Sequence, residues 1–178
     1  MSSSTHEANT PSSRAAVRWL REAARLARHG IRLGDGGPFG AVVVRDDAII
    51  GRGWNRVVAR NDPSAHAEVV ALRDACARLQ RFHLTDCVLY ATCEPCPMCL
   101  GAIYWARVPR VVYASTREEA YDGKAVAHAA RIGFADDHIH RELALEPARR
   151  HLAMRRVEAP DAAAVLEEWR ASGNRTLY

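Results

Sequence analysis

The chain of 178 residues has the length of one ordinary domain, and 48% of its residues are hydrophobic. It contains no apolar run approaching the roughly 20 residues that a membrane-spanning helix needs, so we do not expect a membrane protein. The formal net charge of +4 permits contact with nucleic acid. No dense basic run requires such contact, so we do not expect a nucleic-acid partner.

Cysteine usage favours metal binding over disulfides. Five cysteines are an odd number, and three of them lie within residues 93–99. A disulfide framework spreads its cysteines along the chain, whereas this cluster is typical of metal-binding thiolates in a reducing compartment. The N-terminus has no apolar segment typical of a secretory signal. We therefore expect a cytoplasmic location.

Hydrophobic periodicity and turn residues predict a regular order of elements after a polar, disordered tail over residues 1–13. In chain order, the predicted elements are a helix over 14–29, a hairpin of strands over 39–45 and 48–54, a helix over 65–79, a strand over 87–91, a helix over 96–106, a strand over 110–114, an interrupted helical segment over 118–130, a strand over 151–158 and a helix over 161–171. Gly30 is expected to end the first helix. Asp46-Asp47 is expected to form the hairpin turn.

Strands that alternate with helices predict the fold class. We expect an α/β protein, a three-layer α/β/α sandwich around a central mixed sheet of about five strands. No internal repeat or shift in composition marks a boundary. Residues 14–178 are therefore expected to form a single domain.

The stretch from Thr92 to Gly101 carries the clearest chemistry. Cys96 and Cys99 open a predicted helix one turn apart, so both thiols can reach one ion, and first-turn amides favour thiolates. His66 opens the preceding helix in the same way. One His and two Cys give three protein ligands for zinc. They leave a fourth position for water, which is typical of a catalytic site.

Glu68 lies two residues after His66. A glutamate at a helix start is most often a solvated charge. Beside an activated water, however, a carboxylate can accept a proton and deliver it to a leaving group. The pair His-x-Glu and Pro-Cys-x-x-Cys is the signature of the zinc nucleobase deaminases.

Cys93 offers a further thiol beside the ligand pair. A closed Cys₃His set would make the zinc structural and leave Glu68 without a role. At the end of a strand, Cys93 is instead expected to pack in the core. We place it outside the ligand set, and a structural zinc module stays the non-enzymatic alternative.

A second group of residues is suited to holding a flat substrate. Asn55 ends a strand before the loop to His66. Such an Asn is usually a turn residue, but its amide can also read a base edge through paired donor and acceptor groups. Phe39 and Trp105 are candidates for stacking on a heterocycle, whereas Tyr104 is expected to fill the core.

Together these motifs resemble the cytidine deaminase superfamily, and within it the small bacterial guanine deaminases. The resemblance extends from about Gly36 to Tyr178, with matching segments at 36–40, 61–68 and 93–107. The zinc motifs are shared with tRNA adenosine deaminases, so they do not determine the substrate. The C-terminal segment Gly133-Phe134-Ala135-Asp136-Asp137 favours guanine. Residues 116–132 form a longer connection than the family pattern.

The resemblance implies a cytidine deaminase-like fold, one zinc per subunit, and hydrolytic deamination of guanine to xanthine and ammonia in purine catabolism. It implies that Asn55 contacts the purine and that Phe39 and Trp105 frame it. Asp136 would pass a proton to the departing amine, with Asp137 as the alternative.

The resemblance also implies a homodimer in which the C-terminal segment crosses to the partner subunit and Tyr178 closes the pocket. Two other enzymatic hypotheses stay open at this point. One is a tRNA adenosine deaminase, and the other is a deaminase of guanosine or another amino-heterocycle.

Overall fold

The structure is a computed structural model that describes residues 13–120 and 136–173. The chain divides into two compact units, Met1–Ile132 and Gly133–Tyr178. Residues 1–12 of the tail expected over 1–13, most of the predicted helical segment over 118–130, and Tyr178 lie outside the described residues, and Ser13 already begins the first helix. Within the two described ranges, no helix is both long enough and apolar enough to cross a bilayer.

The first unit follows the predicted order of helix, hairpin, helix, strand, helix and strand. Its elements are α1 (Ser13–Leu33), β1 (Gly40–Arg45), β2 (Ala48–Trp54), α2 (Val57–Arg60), α3 (Ala67–Leu79), β3 (Val88–Cys93), α4 (Pro97–Trp105), β4 (Arg110–Ser115) and α5 (Arg117–Ala120). Strand β1 pairs antiparallel with β2 and with β3, and β4 pairs parallel with β3. The result is a mixed sheet in the order β2-β1-β3-β4.

The hairpin turn is as predicted, but the end of α1 is not. Asp46 and Asp47 both have positive φ, 49° and 58°, which is the requirement of a type I′ turn. Helix α1 passes through Gly30 and continues to Leu33. The role of Gly30 is close packing, because a Cβ at this position would lie 2.5 Å from Cδ1 of Trp54.

The sheet has a helical layer on each face, which confirms the predicted α/β/α sandwich. Side chains of β1 alternate between the faces, as a strand requires. Val42 and Val44 belong to the core cluster under α1, whereas Ala41 and Val43 belong to the cluster under α3 and α4. Their packing partners are Trp19 and Leu26 of α1, Tyr90 and Leu89 of β3, Ala71 and Leu72 of α3, and Ile103 of α4.

The second unit contains α6 (Asp136–Ala144), a 3-10 turn (Pro147–Arg149) and α7 (Pro160–Ala171). Helix α7 agrees with the predicted terminal helix. The predicted strand over 151–158 is wrong, because residues 151–159 are irregular and the described part of the chain forms four strands instead of about five. Strand formation needs a neighbour that satisfies the backbone hydrogen bonds, and the sequence pattern carries no information about that neighbour.

Candidate active site

A tight turn delivers His66 to the start of α3, where it is the N-cap residue. The carboxylate of Asp62 accepts hydrogen bonds from Ser64 N–H at 2.8 Å and from Ser64 Oγ at 2.7 Å. Asn61 ends α2 in the left-handed conformation, with φ 47°. The Asn-Asp-Pro segment therefore positions the histidine by turning the chain from α2 into α3.

The cysteine pair sits at the start of α4. Cys96 is the N-cap residue, and Pro97 follows at the first helical position, where its missing N–H costs nothing. Cys99, one turn later, is fully buried. The loop between β3 and α4 is tied to β4, since the N–H of Glu94 donates to Ser115 O at 2.9 Å.

The three predicted ligand atoms lie together. Nδ1 of His66 is 3.6 Å from Sγ of Cys96 and 3.6 Å from Sγ of Cys99. A tetrahedral zinc with usual bond lengths separates a nitrogen from a sulfur ligand by about 3.6 Å. The spacing of these donors, and their chemistry of one imidazole and two thiols, therefore fit zinc.

The two thiols behave as a site prepared for a cation. A hydrogen bond with Cys99 lowers the pKa of Cys96, and the same hydrogen bond together with burial raises the pKa of Cys99. Cys96 is therefore shifted toward the thiolate form, which is the form in which a cysteine binds a divalent metal.

Cys93 lies outside this group. It is buried at the end of β3, and its Sγ is 3.7 Å from the carbonyl oxygen of Thr116. The metal-ligand cluster that includes Cys96 and Cys99 does not include Cys93. This placement agrees with a packing role and leaves a coordination position open.

Glu68 is buried in the first turn of α3, with 7% of its surface exposed. Burial raises the pKa of its carboxyl, while hydrogen bonds from its own backbone and from Cys99 act in the opposite direction. A buried glutamate is unusual and expensive unless it has a task. A carboxyl with a raised pKa next to the metal ligands holds a proton more readily than an exposed glutamate, which suits a group that transfers protons.

Asn55 is buried, and backbone contacts fix the direction of its amide. Oδ1 accepts hydrogen bonds from Gly37 N–H and Val57 N–H, both at 3.2 Å. These two bonds use both lone pairs of the oxygen, so the Nδ2 group is the part that can bind a substrate. The expected paired donor–acceptor contact is therefore reduced to a donor.

Two backbone hydrogen bonds place Asn55 beside Phe39 and close to His66. The N–H of Asn55 donates to Phe39 O at 3.0 Å. The N–H of Arg56, the next residue, donates to Ala65 O at 2.9 Å, immediately before His66. The half-buried ring of Phe39 packs against the core.

The remaining predicted residues lie on less enclosed parts of the structure. Trp105 ends α4 and is 68% exposed. Tyr104 is 79% exposed, so the expectation that it fills the core is wrong: the inward face of α4 is taken by Ile103. Asp136 begins α6, but its side chain and that of Asp137 lie outside the described part of the structure, as does Tyr178.

Two residues that hold neighbouring loops in place were not predicted from the sequence. The buried carboxylate of Asp35 accepts a 2.6 Å hydrogen bond from Nε1 of Trp54, and its carbonyl accepts from Val58 and Ala59. Glu94 accepts from Arg117 N–H at 3.3 Å. Asp35 lies between the first predicted helix and the hairpin, and Glu94 lies within the cysteine motif, and no role was predicted for either residue. Each residue has a sequence feature that could have identified it. Asp35 lies between two glycines, and Glu94 lies beside the predicted metal ligands.

Comparison with known proteins agrees with this geometry. Residues 13–115 match the family model of the cytidine and deoxycytidylate deaminase zinc-binding region. The chain is 44% identical to guanine deaminase of Bacillus subtilis over 160 residues, which cover 90% of this chain and 97% of the relative. The crystal structure of that enzyme superposes with a TM-score of 0.78 and 43% identity, covering 91% of this chain and 98% of the other.

Two further relatives cover less of the chain. A tRNA-specific adenosine deaminase of Haemophilus influenzae is 43% identical over 121 residues, which cover 67% of this chain and 66% of the relative. A solved structure in complex with 8-azaguanine has a TM-score of 0.57 and 33% identity, covering 68% of this chain and 64% of the other.

Proposed function

The chain belongs to the cytidine and deoxycytidylate deaminase zinc-binding family, and we propose that it catalyses the hydrolytic deamination of guanine to xanthine and ammonia. One observation carries the choice of substrate. The similarity to guanine deaminase extends through both compact units, whereas the similarity to the tRNA adenosine deaminase of Haemophilus influenzae covers about two thirds of the chain.

His66, Cys96 and Cys99 would hold the zinc, which supplies an activated water at neutral pH. Glu68 would accept a proton from water at its carboxylate and deliver it to the ring nitrogen beside the amine-bearing carbon. A carbon–oxygen bond forms at this carbon and its bond to the exocyclic nitrogen breaks. The second proton of water leaves with the amine, so guanine and water give xanthine and ammonia.

The other predicted residues would bind and orient the purine. Asn55 donates from Nδ2 to an acceptor on the base, because its oxygen is occupied by backbone N–H groups. Phe39 and Trp105 frame the ring. Asp136, with Asp137 as the alternative, passes a proton to the departing amine, and Tyr178 closes the pocket.

The proposed assembly is a homodimer in which the C-terminal segment of each subunit crosses to its partner. Each catalytic domain is then completed by the partner subunit's C-terminal segment. An extended exposed apolar surface supports an interface. The large exposed apolar side chains of the described part of this unit are Ile139, Leu143, Leu152, Met154, Val157, Val165, Leu166 and Trp169. Sedimentation of the purified protein as a monomer at micromolar concentration would contradict this assembly.

We place the reaction in cytoplasmic purine catabolism. All five cysteines lie in the described part of the chain and none forms a disulfide. Free thiols at a metal site require a reducing compartment. The products, xanthine and free ammonia, are those of a redox-neutral hydrolysis that removes nitrogen from the purine, as a degradative step does.

The test is a substrate panel on zinc-loaded protein, with ammonia release as the common readout. The panel contains guanine, guanosine, adenine, cytosine, cytidine and an anticodon stem-loop RNA. We expect turnover of guanine, with xanthine formed in equal amount to ammonia. Turnover of the RNA alone would support the tRNA deaminase hypothesis, and a preference for guanosine would assign a nucleoside substrate. No turnover of guanine would contradict the proposal.

A further inference from the structure

A second group of metal-ligating side chains lies in the C-terminal unit. His138 and Glu142 are four residues apart on α6, and His151 lies in the irregular segment after the 3-10 turn. One ligand atom from each of the three lies within 4.8 Å of the others. None of these residues takes part in the proposed reaction.

The chain builds this group through side-chain contacts across a short turn. Residues i and i+4 of a helix share one face, which places His138 beside Glu142. The carboxylate of Glu142 accepts from His151 N–H at 2.8 Å and lies 2.7 Å from Nδ1 of His151. Nε of Arg150 donates to the carbonyls of Glu142 and Leu145, at 3.0 and 3.1 Å. The segment is therefore folded back onto α6.

The geometry of the two histidines is close to that of a shared metal. Their ring centroids are 5.6 Å apart, and two imidazoles on one tetrahedral zinc have centroids about 5 Å apart. Nδ1 of His151 and Oε1 of Glu142 are 2.7 Å apart and share a hydrogen bond, so the two potential ligand atoms already face each other. The side chain of Glu142 is only 15% exposed, and its hydrogen bond with His151 lowers the pKa of its carboxyl.

We propose that His138, Glu142 and His151 form a second metal site, for zinc or another first-row dication such as nickel or cobalt. Two imidazoles and one carboxylate are ligands that suit these ions, and three protein ligands leave positions for water. The metal joins the start of α6 to a residue thirteen positions later. The metal would thereby stabilise the 3-10 turn that follows α6 in the C-terminal unit.

The site can be tested by metal stoichiometry, independently of activity. Full-length protein carrying its active-site zinc is titrated with Zn²⁺ alone, and bound zinc is counted after removal of free metal. We expect one additional zinc per chain in the parent protein. The variant His138→Ala should lower the affinity for the additional zinc at least about tenfold. The variant keeps both partners of the hydrogen bond between Glu142 and His151, so we expect the turn to stay folded, and thermal unfolding of the variant checks this.

His140→Ala is the matched control, because His140 lies on the same helix and is exposed outside the cluster. This variant should keep the additional zinc.

Cobalt gives a second readout. A site with two cysteines shows sulfur-to-cobalt charge transfer, whereas the proposed site adds only weak bands that disappear in His151→Ala. Binding of a single zinc by the parent protein, or equal binding of the second zinc by all variants, would overturn the proposal.

Discussion

The proposed mechanism assigns proton transfer to a single carboxyl group, that of Glu68. Its carboxyl is buried, and the cost of desolvation outweighs the hydrogen bonds from its own backbone and from Cys99, so the pKa is raised. Its position two residues after His66 explains the cost, since proton transfer requires a group close to the activated water.

We predict that Glu68→Gln keeps zinc and loses activity. Glutamine has the same shape, so the fold and the ligands should persist, but it cannot carry the proton. The expected loss in kcat is roughly 10²–10⁴-fold. Guanine turnover and zinc content are measured together on the same sample, with the exposed Glu158→Gln as control. Activity near the parental level in Glu68→Gln would remove Glu68 from the mechanism.

Asn55 is expected to act through its N–H groups alone. Asn55→Asp preserves the oxygen that accepts from Gly37 and Val57, and it replaces the donor with an acceptor. We predict a folded, zinc-containing protein with kcat/KM for guanine lowered roughly 10–100-fold. The control is Gln80→Glu, the same amide-to-acid change at the exposed C-terminal end of α3. If the two variants have equal kcat/KM, Asn55 does not contact the substrate.

Cys93 and Cys96 should respond differently to substitution. Cys93→Ala removes a buried thiol outside the ligand cluster, so we predict one bound zinc, full activity and a loss of about 1 kcal/mol in the free energy of unfolding. Cys96→Ser should lose zinc and activity together. Metal analysis and thermal unfolding of both variants decide the matter. Loss of zinc from Cys93→Ala would support the closed, structural zinc module.

At this scale the sequence predicts metal ligands better than substrate contacts. Cys96 and Cys99 are local in sequence and their spacing has a direct geometric meaning. The donor character of Asn55 depends on Gly37, eighteen residues earlier. The exposure of Tyr104 depends on which face of α4 meets the sheet. Neither fact is encoded within the segment that contains the residue.

Among the elements, α3 lies unusually close to β2 because of Gly53. A Cβ on Gly53 would lie 2.1 Å from Ala67 O and 2.5 Å from the nitrogen of Ala71. Ala67 directly follows His66. The distance between helix and strand therefore determines the position of the zinc ligand and of Glu68.

We predict that Gly53→Ala pushes the start of α3 away from the sheet. Overpacking of this kind costs about 1–3 kcal/mol of unfolding free energy, and the displacement of His66 should weaken zinc binding. Gly101→Ala is the matched control, since nothing lies within 4 Å of the added Cβ. In a helix this change should be neutral or stabilising. Thermal unfolding and zinc affinity are measured for both, and unchanged zinc affinity in Gly53→Ala would contradict the coupling.

The elements of the first unit were predictable because their patterns are local. The Asp46-Asp47 turn and the alternation of β1 follow from neighbouring residues. The failures have long-range causes. Gly30 continues a helix because Trp54 packs against it, and residues 151–159 are irregular although their pattern resembles a strand.

For the whole molecule, zinc is expected to act as a cross-link between two helices. We predict that a strong chelator lowers the thermal unfolding midpoint by several degrees. A ligand at about 100 times its Kd contributes about 2.7 kcal/mol, and 1 kcal/mol corresponds to about 2–4 °C in a domain of this size. Differential scanning calorimetry gives the shift. The control Cys96→Ser should show almost none, and an unchanged midpoint in the parent protein would contradict the cross-link.

The separation of the ligands along the chain also bears on folding kinetics. His66 and Cys96 are 30 residues apart, and β3 lies between the helices that they begin. The ligand set is complete only when β3 has paired with β1 and both helices have docked on the same face of the sheet. Closure of a loop of this length is entropically unfavourable until those contacts exist. We therefore expect zinc to bind late, after the sheet has assembled, and to slow unfolding more than it accelerates folding.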